Sequence, residues 1–370
     1  MNKFKLSTIT GALLSTSLLI SQANATTIAL DYDAAQFSST QGQQALAGFQ
    51  QAANFWETLF SDNITVNLGI AFSALDQNVI GSTRSFSDGY YYQEVAQALI
   101  NDRNSLVDNI AVSSLSCDDQ GNGGCNISFL DQENPSSPVS PELDIDGSPD
   151  NFAMSINQAN AKALGLSEGI WGWSPLDAQV TFSSAFAFDF DRTDGISLDK
   201  MDFVGVAIHE IGHALGFVSA VDSYDLYYNS GLIDPETDLD GYALASVLDL
   251  YRFSEASLLA GTGVRDWDPG SNTYFSIDNG ATNLAPFSTG VYGGDGRQAS
   301  HFKDNLGIGI MDPTFSFGEF GDVTALDILA FDAIGWDINT AAVPEPTTVA
   351  IFGLALAGLA STRRRTLKTK

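Results

Sequence analysis

The chain has 370 residues, with 45 Asp+Glu against 16 Lys+Arg and a formal charge of −29. A surface of that sign has nothing to neutralise phosphates, which argues against a nucleic-acid partner; the 44% apolar content and 34 glycines separate the chain from a disordered acidic tail. Its two cysteines exclude a disulfide-framework fold and a cysteine-rich zinc ribbon, so a metal site has to draw on the three histidines.

Residues 1–25 carry Lys3 and Lys5, an apolar stretch from Ile9 to Ile20 and a closing Ala23-Asn24-Ala25, the pattern of a secretory signal peptide cut after Ala25. Thr27–Leu30 then reads as a strand. Gln43–Phe60 spaces Leu46, Phe49, Ala53, Trp56 and Phe60 near a 3.6-residue period, as an amphipathic helix does. Asn63–Phe72 alternates around Ile64, Val66, Leu68 and Ile70, a half-buried strand. Tyr91–Asp102 reads as a helix, and Asn151–Ile156 and Gln179–Phe190 as further strands. Cys117 and Cys125 bracket a turn rich in Asp, Asn and Gly, and in an exported chain they predict a local disulfide; a thiol restraining a zinc site in a zymogen is the alternative. Asp189–Gly195 resembles a Ca²⁺ loop in its acidic spacing, yet it is one residue off the EF-hand pattern and lacks the closing glutamate. An acidic turn into the next helix is the reading preferred there over a Ca²⁺ loop, and Asp144–Gly147 is a weaker case of the same kind.

The strongest chemical signal is His209-Glu210-Ile211-Gly212-His213. About Asp202–Leu215 reads as a helix, with Asp202 as N-cap and Val204, Ile208, Ile211 and Leu215 on one buried stripe. At about 100° per residue the two histidines stand one turn apart on the opposite face, where both imidazoles reach one metal ion with Glu210 beside them. Gly216 ends the helix in the way a residue free to take positive φ does. Two histidines leave zinc under-coordinated, so a third ligand is required. Position 219 is a serine, Asp222 is the nearest downstream carboxylate, and His301, in Ala299-Ser300-His301-Phe302, is the one remaining histidine, ten residues before Met311. The 84 residues between Gly216 and His301 are too many for a loop and predict a small inserted subdomain walling one side of a cleft. Within it Leu244–Phe253 reads as a helix, and Asn272–Ile277 with Leu284–Phe287 as a hairpin. Val323–Ile334 reads as a closing helix, ended by Gly335-Trp336.

At the far end Pro344-Glu345-Pro346 precedes an apolar run, Thr347–Ala360, and a cluster of Arg363, Arg364, Arg365, Lys368 and Lys370. As a helix the run reaches about 21 Å, short of a ~30 Å hydrocarbon core. This arrangement resembles the PEP-CTERM sorting tails of Gram-negative bacteria. The resemblance implies transient membrane association and removal of the tail by an exosortase-type processing enzyme, with a permanent anchor as the alternative. Without the two ends, residues 26–342 hold 9 Lys+Arg and 44 Asp+Glu, a net charge of −35, which keeps the body soluble and attracts cations such as Ca²⁺.

His209-Glu210-x-x-His213-x-x-Gly216-Phe217, the long insertion, Ser300-His301-Phe302 and Met311 together resemble the metzincin zinc metallopeptidases, in their leishmanolysin-like branch; that branch is cysteine-rich, whereas this chain is not. The resemblance covers about 200–338. It implies an α+β fold: a metzincin-like zincin with a mixed sheet and the active-site helix in an upper lobe, and a mostly irregular and helical lower lobe carrying the insertion. The corresponding division is 1–25, 26–218, 219–300, 301–338 and 339–370. His209, His213 and His301 take the role of Zn²⁺ ligands, Glu210 that of general base, and Met311 that of an apolar floor under the imidazoles. The leading expectation is an exported zinc endopeptidase acting on a protein or peptide substrate. Two others stay open: a cell-surface or matrix protein with a vestigial zinc site, and a zinc hydrolase acting on a non-peptide bond.

Overall fold

The computed structural model describes residues 26–77, 79–118, 124–132, 141–231 and 244–340; the leader 1–25 and the tail with Pro344, Glu345 and Pro346 lie outside the described residues. The chain opens with β1 (Thr27–Asp31), α1 (Thr40–Leu59) and β2 (Thr65–Ser73). β1 and β2 pair in parallel, from Thr27↔Thr65 to Asp31↔Gly69; parallel neighbours need a crossover, and α1 supplies it. The Ser39 hydroxyl caps α1 by accepting the Gly42 N–H at 3.0 Å. Ala45, Phe49, Ala52, Ala53 and Trp56 give the helix a fully buried stripe.

Next come β3 (Gly81–Ser85), β4 (Ser87–Tyr91), α2 (Tyr92–Asp102), α3 (Leu106–Ala111), β5 (Phe129–Asp131) and β6 (Glu142–Asp144). They are followed by α4 (Pro149–Phe152), β7 (Ala153–Asn157), α5 (Gln158–Ala163), β8 (Ala178–Ser183), β9 (Phe188–Asp189) and β10 (Met201–Asp202). β8 joins β2 in parallel, Leu68↔Ala178 to Ser73↔Ser183, and β3 runs antiparallel to β8, Gly81↔Phe182 to Ser85↔Ala178. The mixed sheet therefore has the order β1-β2-β8-β3, with β3 at its edge. The strand expected from Asn151 begins at Ala153, because Pro149–Phe152 forms a helical turn behind Ser148. The one expected over Gln179–Phe190 divides into β8 and β9 around a turn.

Under this sheet runs α6 (Phe203–Ala214), against α1 and β3. Its N-cap is Asp202, whose carboxylate accepts the Gly205 N–H at 3.0 Å. Phe203 anchors its first turn among Phe49, Phe182, Phe188 and Phe190, with ring centroids 4.7–5.2 Å away. The Trp56 indole donates to the Ile208 carbonyl at 3.1 Å and fixes the helix on α1.

Beyond α6 lie α7 (Val221–Asn229), β11 (Arg252–Phe253), α8 (Glu255–Ala260), β12 (Arg265–Asp266), β13 (Tyr274–Phe275), β14 (Ala285–Pro286) and α9 (Ala325–Ala333). β13 and β14 form the expected hairpin, and β11 extends it to three strands. The helix expected over Leu244–Phe253 is replaced by a 3₁₀ turn, Leu248–Tyr251, and by β11. Every residue from Ala245 to Phe253 is buried, so the segment has no solvent face to be amphipathic against. The Asp249 carboxylate instead collects the Ser246 and Ala220 N–H groups at 2.9 and 2.8 Å and the Ser219 hydroxyl at 2.5 Å. β12 pairs in parallel with β5, Arg265↔Phe129 and Asp266↔Leu130, so the segment after α6 shares a sheet with the first half of the chain. α9 closes the core, with Phe331 4.6 Å from Trp56 and 5.9 Å from Phe217 between ring centroids. The architecture is mixed α and β, built from several small sheets.

Candidate metal centre

His209 and His213 project from α6 into a cleft of about 730 Å³, and His301 reaches the same point from the loop after β14. The three Nε2 atoms converge: 3.1 Å from His209 to His213, 3.0 Å from His213 to His301 and 3.3 Å from His301 to His209. Each ring is held by its other nitrogen. Nδ1 of His209 faces the Ile310 carbonyl at 2.7 Å, that of His213 the Phe217 carbonyl at 2.7 Å, and that of His301 the Gln298 carbonyl at 3.2 Å. A carbonyl accepts only, so each Nδ1 carries the proton and each Nε2 presents a lone pair to the common point. Three facing lone pairs repel unless a cation sits among them. Tetrahedral zinc, with Zn–N of about 2.0–2.1 Å, sets its ligand nitrogens about 3.3 Å apart, and the three imidazoles fit that spacing.

Burial lowers all three imidazoles: His209 to about 4, His213 to about 3 with the neighbouring His209 adding to it, and His301 well below its usual value with both neighbours adding. They are neutral at physiological pH, the ligating form.

Local sequence explains how each group arrives. Gly216, at φ 117°, turns the chain back so that Phe217 offers its carbonyl to the His213 one turn behind. Trp336 caps the same helix end by donating to the Leu215 carbonyl at 2.9 Å. The His301 loop is gripped from two sides. Asp222 accepts the Ala299 N–H at 2.6 Å, the Ser300 N–H at 3.1 Å and the Ser300 hydroxyl. The buried Arg252 guanidinium donates to the Ala299 carbonyl and stacks 4.1 Å from the Phe287 ring centroid. Asp222 is thus turned toward Ser300, while His301 stands with the other two histidines. Met311 is fully buried, and its sulfur lies 2.7 Å from where a Cβ on Gly212 would be, so the glycine lets it lie directly against α6 between His209 and His213.

Glu210 is buried beside the imidazoles, and burial raises its carboxyl to about 7, against the lowering hydrogen bond from Thr83. The Thr83 hydroxyl lies 2.7 Å from Oε2 and 2.9 Å from the Glu210 carbonyl. Thr83 and Gly81 carry no signal in the sequence, since Gly81-Ser82-Thr83-Arg84-Ser85 has no apolar alternation to mark it as a strand.

Cys117 and Cys125 are bonded to each other, which removes the alternative of a zinc-restraining thiol. The Asp189–Gly195 turn is tied by its own side chains: Asp189 accepts the Ser197 N–H at 3.0 Å and hydroxyl at 2.6 Å, and Asp191 the Thr193 N–H at 3.0 Å. Asp131, Asp144 and Asp150 form a second cluster, with carboxylate oxygens within 4.8 Å of one another; Asn151 donates to Asp144 at 3.0 Å and Tyr224 to Asp150 at 3.1 Å. Among the described residues no helix is long and apolar enough to cross a membrane.

Comparison with curated proteins and with solved structures returns no match for the chain. Comparison with protein-family models matches residues 342–365 to the PEP-CTERM protein-sorting motif. The chain therefore carries, in the segment expected from Pro344-Glu345-Pro346 and the basic cluster, the sorting motif of an exported protein that exosortase recognises.

Proposed function

We propose that the protein is an exported zinc-dependent endopeptidase, in which His209, His213 and His301 hold the metal and Glu210 is the general base. One observation carries the reading: three neutral imidazoles, those of His209 and His301 buried and that of His213 half-buried, point their Nε2 atoms at one place, each oriented by a carbonyl, with the buried Glu210 carboxyl in the same cleft. A structural core histidine satisfies its ring nitrogens with unlike partners; three Nε2 atoms facing each other satisfy none without a cation.

When bound, Zn²⁺ supplies Lewis acidity to water and to a carbonyl oxygen at that place. The chain's own residues do the rest. Glu210, held up at about 7 by burial, is poised to take a proton from water near neutral pH and to return it to a leaving amine. The edge strand β3 borders the cleft with Gly81, Thr83 and Ser85, and its outer rim suits an extended peptide. Phe186, Val206 and Phe315 offer apolar surface for a side chain, and Arg297 brings a cation to the cleft. Release after removal of the sorting tail completes the reading.

The test uses the full chain with casein or gelatin, with and without a zinc chelator, beside Glu210→Ala. Chelator-sensitive cleavage that the variant loses supports the proposal. Stoichiometric zinc without cleavage of any protein or peptide sinks it and favours a vestigial site, or a hydrolase for another bond.

A further inference from the structure

We infer that the edge strand β3 positions the general base: the Thr83 hydroxyl holds the Glu210 carboxylate, and the missing side chain at Gly81 leaves the space in which it lies. This deepens the zinc-peptidase reading and rests on it.

The geometry is specific to this strand. Alternate residues of β3 face α6, as the two-residue period of a strand requires. At the first of these positions, a Cβ on Gly81 would stand 2.9 Å from Glu210 Oε1, 3.1 Å from its Cγ and 3.2 Å from its carboxyl carbon. Any side chain there displaces the carboxylate. At the second, Thr83 Oγ1 lies 2.7 Å from Oε2 and 2.9 Å from the Glu210 backbone carbonyl. At the third, Ser85 donates to the His213 carbonyl at 3.2 Å. A gap and two hydroxyls thus fit the strand to the helix over Glu210–His213, where a strand chosen for core packing carries branched apolar residues.

The consequence is mechanical. A glutamate on a helix has several side-chain rotamers, and a general base has to be held in one that leaves an oxygen free to take a proton. Thr83 selects that rotamer by engaging Oε2, and Gly81 accommodates it. Because β3 is also the sheet edge along the cleft, whatever pairs with its rim lies on the strand that orients the base.

The decisive variants are Thr83→Val, which keeps the shape and removes the hydroxyl, Thr83→Ser, which restores it, and Gly81→Ala. With the full chain, Thr83→Val should lower kcat by about 10- to 100-fold, with KM within about twofold and zinc content unchanged. Thr83→Ser should recover most of kcat, and Gly81→Ala should behave like Thr83→Val. Crystal structures of the metal-free variants give a readout independent of turnover: the Glu210 carboxylate should leave β3 in Thr83→Val and stay in Thr83→Ser. If the wild type cleaves and Thr83→Val matches its kcat, or if the carboxylate keeps its place without the hydroxyl, the inference is overturned while the peptidase reading stands. If zinc-loaded wild type cleaves nothing, the peptidase reading itself falls.

Discussion

Asp327 and Ile310 are joined by a hydrogen bond of 2.9 Å, from the Ile310 N–H to the carboxylate that caps α9. The same carboxylate accepts the Met311 N–H at 3.2 Å and the Thr324 N–H at 2.7 Å. The Ile310 carbonyl, on the same residue, faces Nδ1 of His209 at 2.7 Å. One helix cap therefore holds both the backbone at Ile310 and Met311 and the orientation of a ligand candidate on another helix. Asp327→Ala should cost roughly 1 kcal/mol for the lost cap and weaken zinc binding about 10- to 100-fold through the freed Ile310 carbonyl. Thermal melting of the metal-free chain and chelator competition separate the two effects. Loss of stability with unchanged zinc affinity would show that the cap does not reach His209.

The third position of the proposed metal centre is testable by exchange of its two candidates. His301→Ala removes one of the converging nitrogens, and zinc retained after dialysis should fall close to zero. Asp222 is committed to Ala299 and Ser300 by three hydrogen bonds, so it orients the His301 loop from behind. Asp222→Asn should therefore keep one zinc per chain with an affinity about tenfold weaker. Metal analysis of both proteins decides the matter; full zinc occupancy in His301→Ala would transfer the third ligand elsewhere.

Part of this site is legible in the sequence because it is local, whereas His301, 88 positions from His213, is reached as the one histidine left in the chain. His209, Glu210, His213, the Asp202 cap and Gly216 lie within one helix and its ends, where spacing alone puts side chains on a face. β1, α1, β2 and the β13–β14 hairpin were readable for the same reason, since their apolar periods repeat over neighbouring residues. The parts that escaped are long-range. Thr83 meets Glu210 from 127 positions away in a strand with no hydrophobic pattern. The carbonyls of Ile310 and Gln298 that orient the rings are backbone groups, invisible to residue type. The segment from Ala245 to Phe253 misled because burial on every side erases the contrast between faces on which a helix reading depends.

Gly216 makes two demands that no other residue meets. Its φ is 117°, outside the range open to side-chain-bearing residues, and a Cβ there would lie 2.9 Å from the Asn160 Cβ. Asn160 is itself anchored, donating to the Ile334 carbonyl at 2.8 Å, so it has little freedom to yield. Gly216→Ala should destabilise the chain by roughly 1–3 kcal/mol and move the Phe217 carbonyl off His213. Denaturant unfolding gives the first, and a faster loss of zinc to a chelator gives the second. An unchanged midpoint would mean that the turn relaxes without strain.

Asp332 ties stability to pH. It lies on α9 with Ser105 donating to it at 3.1 and 3.2 Å, and burial, reinforced by nearby Asp108, holds its carboxyl up at about 9. Asp62 is raised to about 8, first by burial and then by Asp337. In the folded chain these groups keep their protons up to those values, whereas in the unfolded chain they ionise near the usual carboxylate value of about 4. Between the two limits the folded state binds more protons, so their contribution to stability falls as pH rises from about 4 through about 9. Asn at position 332 carries no charge in either state and still offers a donor toward Asp108. Asp332→Asn should therefore melt higher than the wild type at pH 8, by an amount on the order of 1 kcal/mol or more, with the difference shrinking toward zero as pH approaches 4. Melting curves of both proteins across that range test it, and a difference that stays constant with pH would show that Asp332 is ionised in the fold.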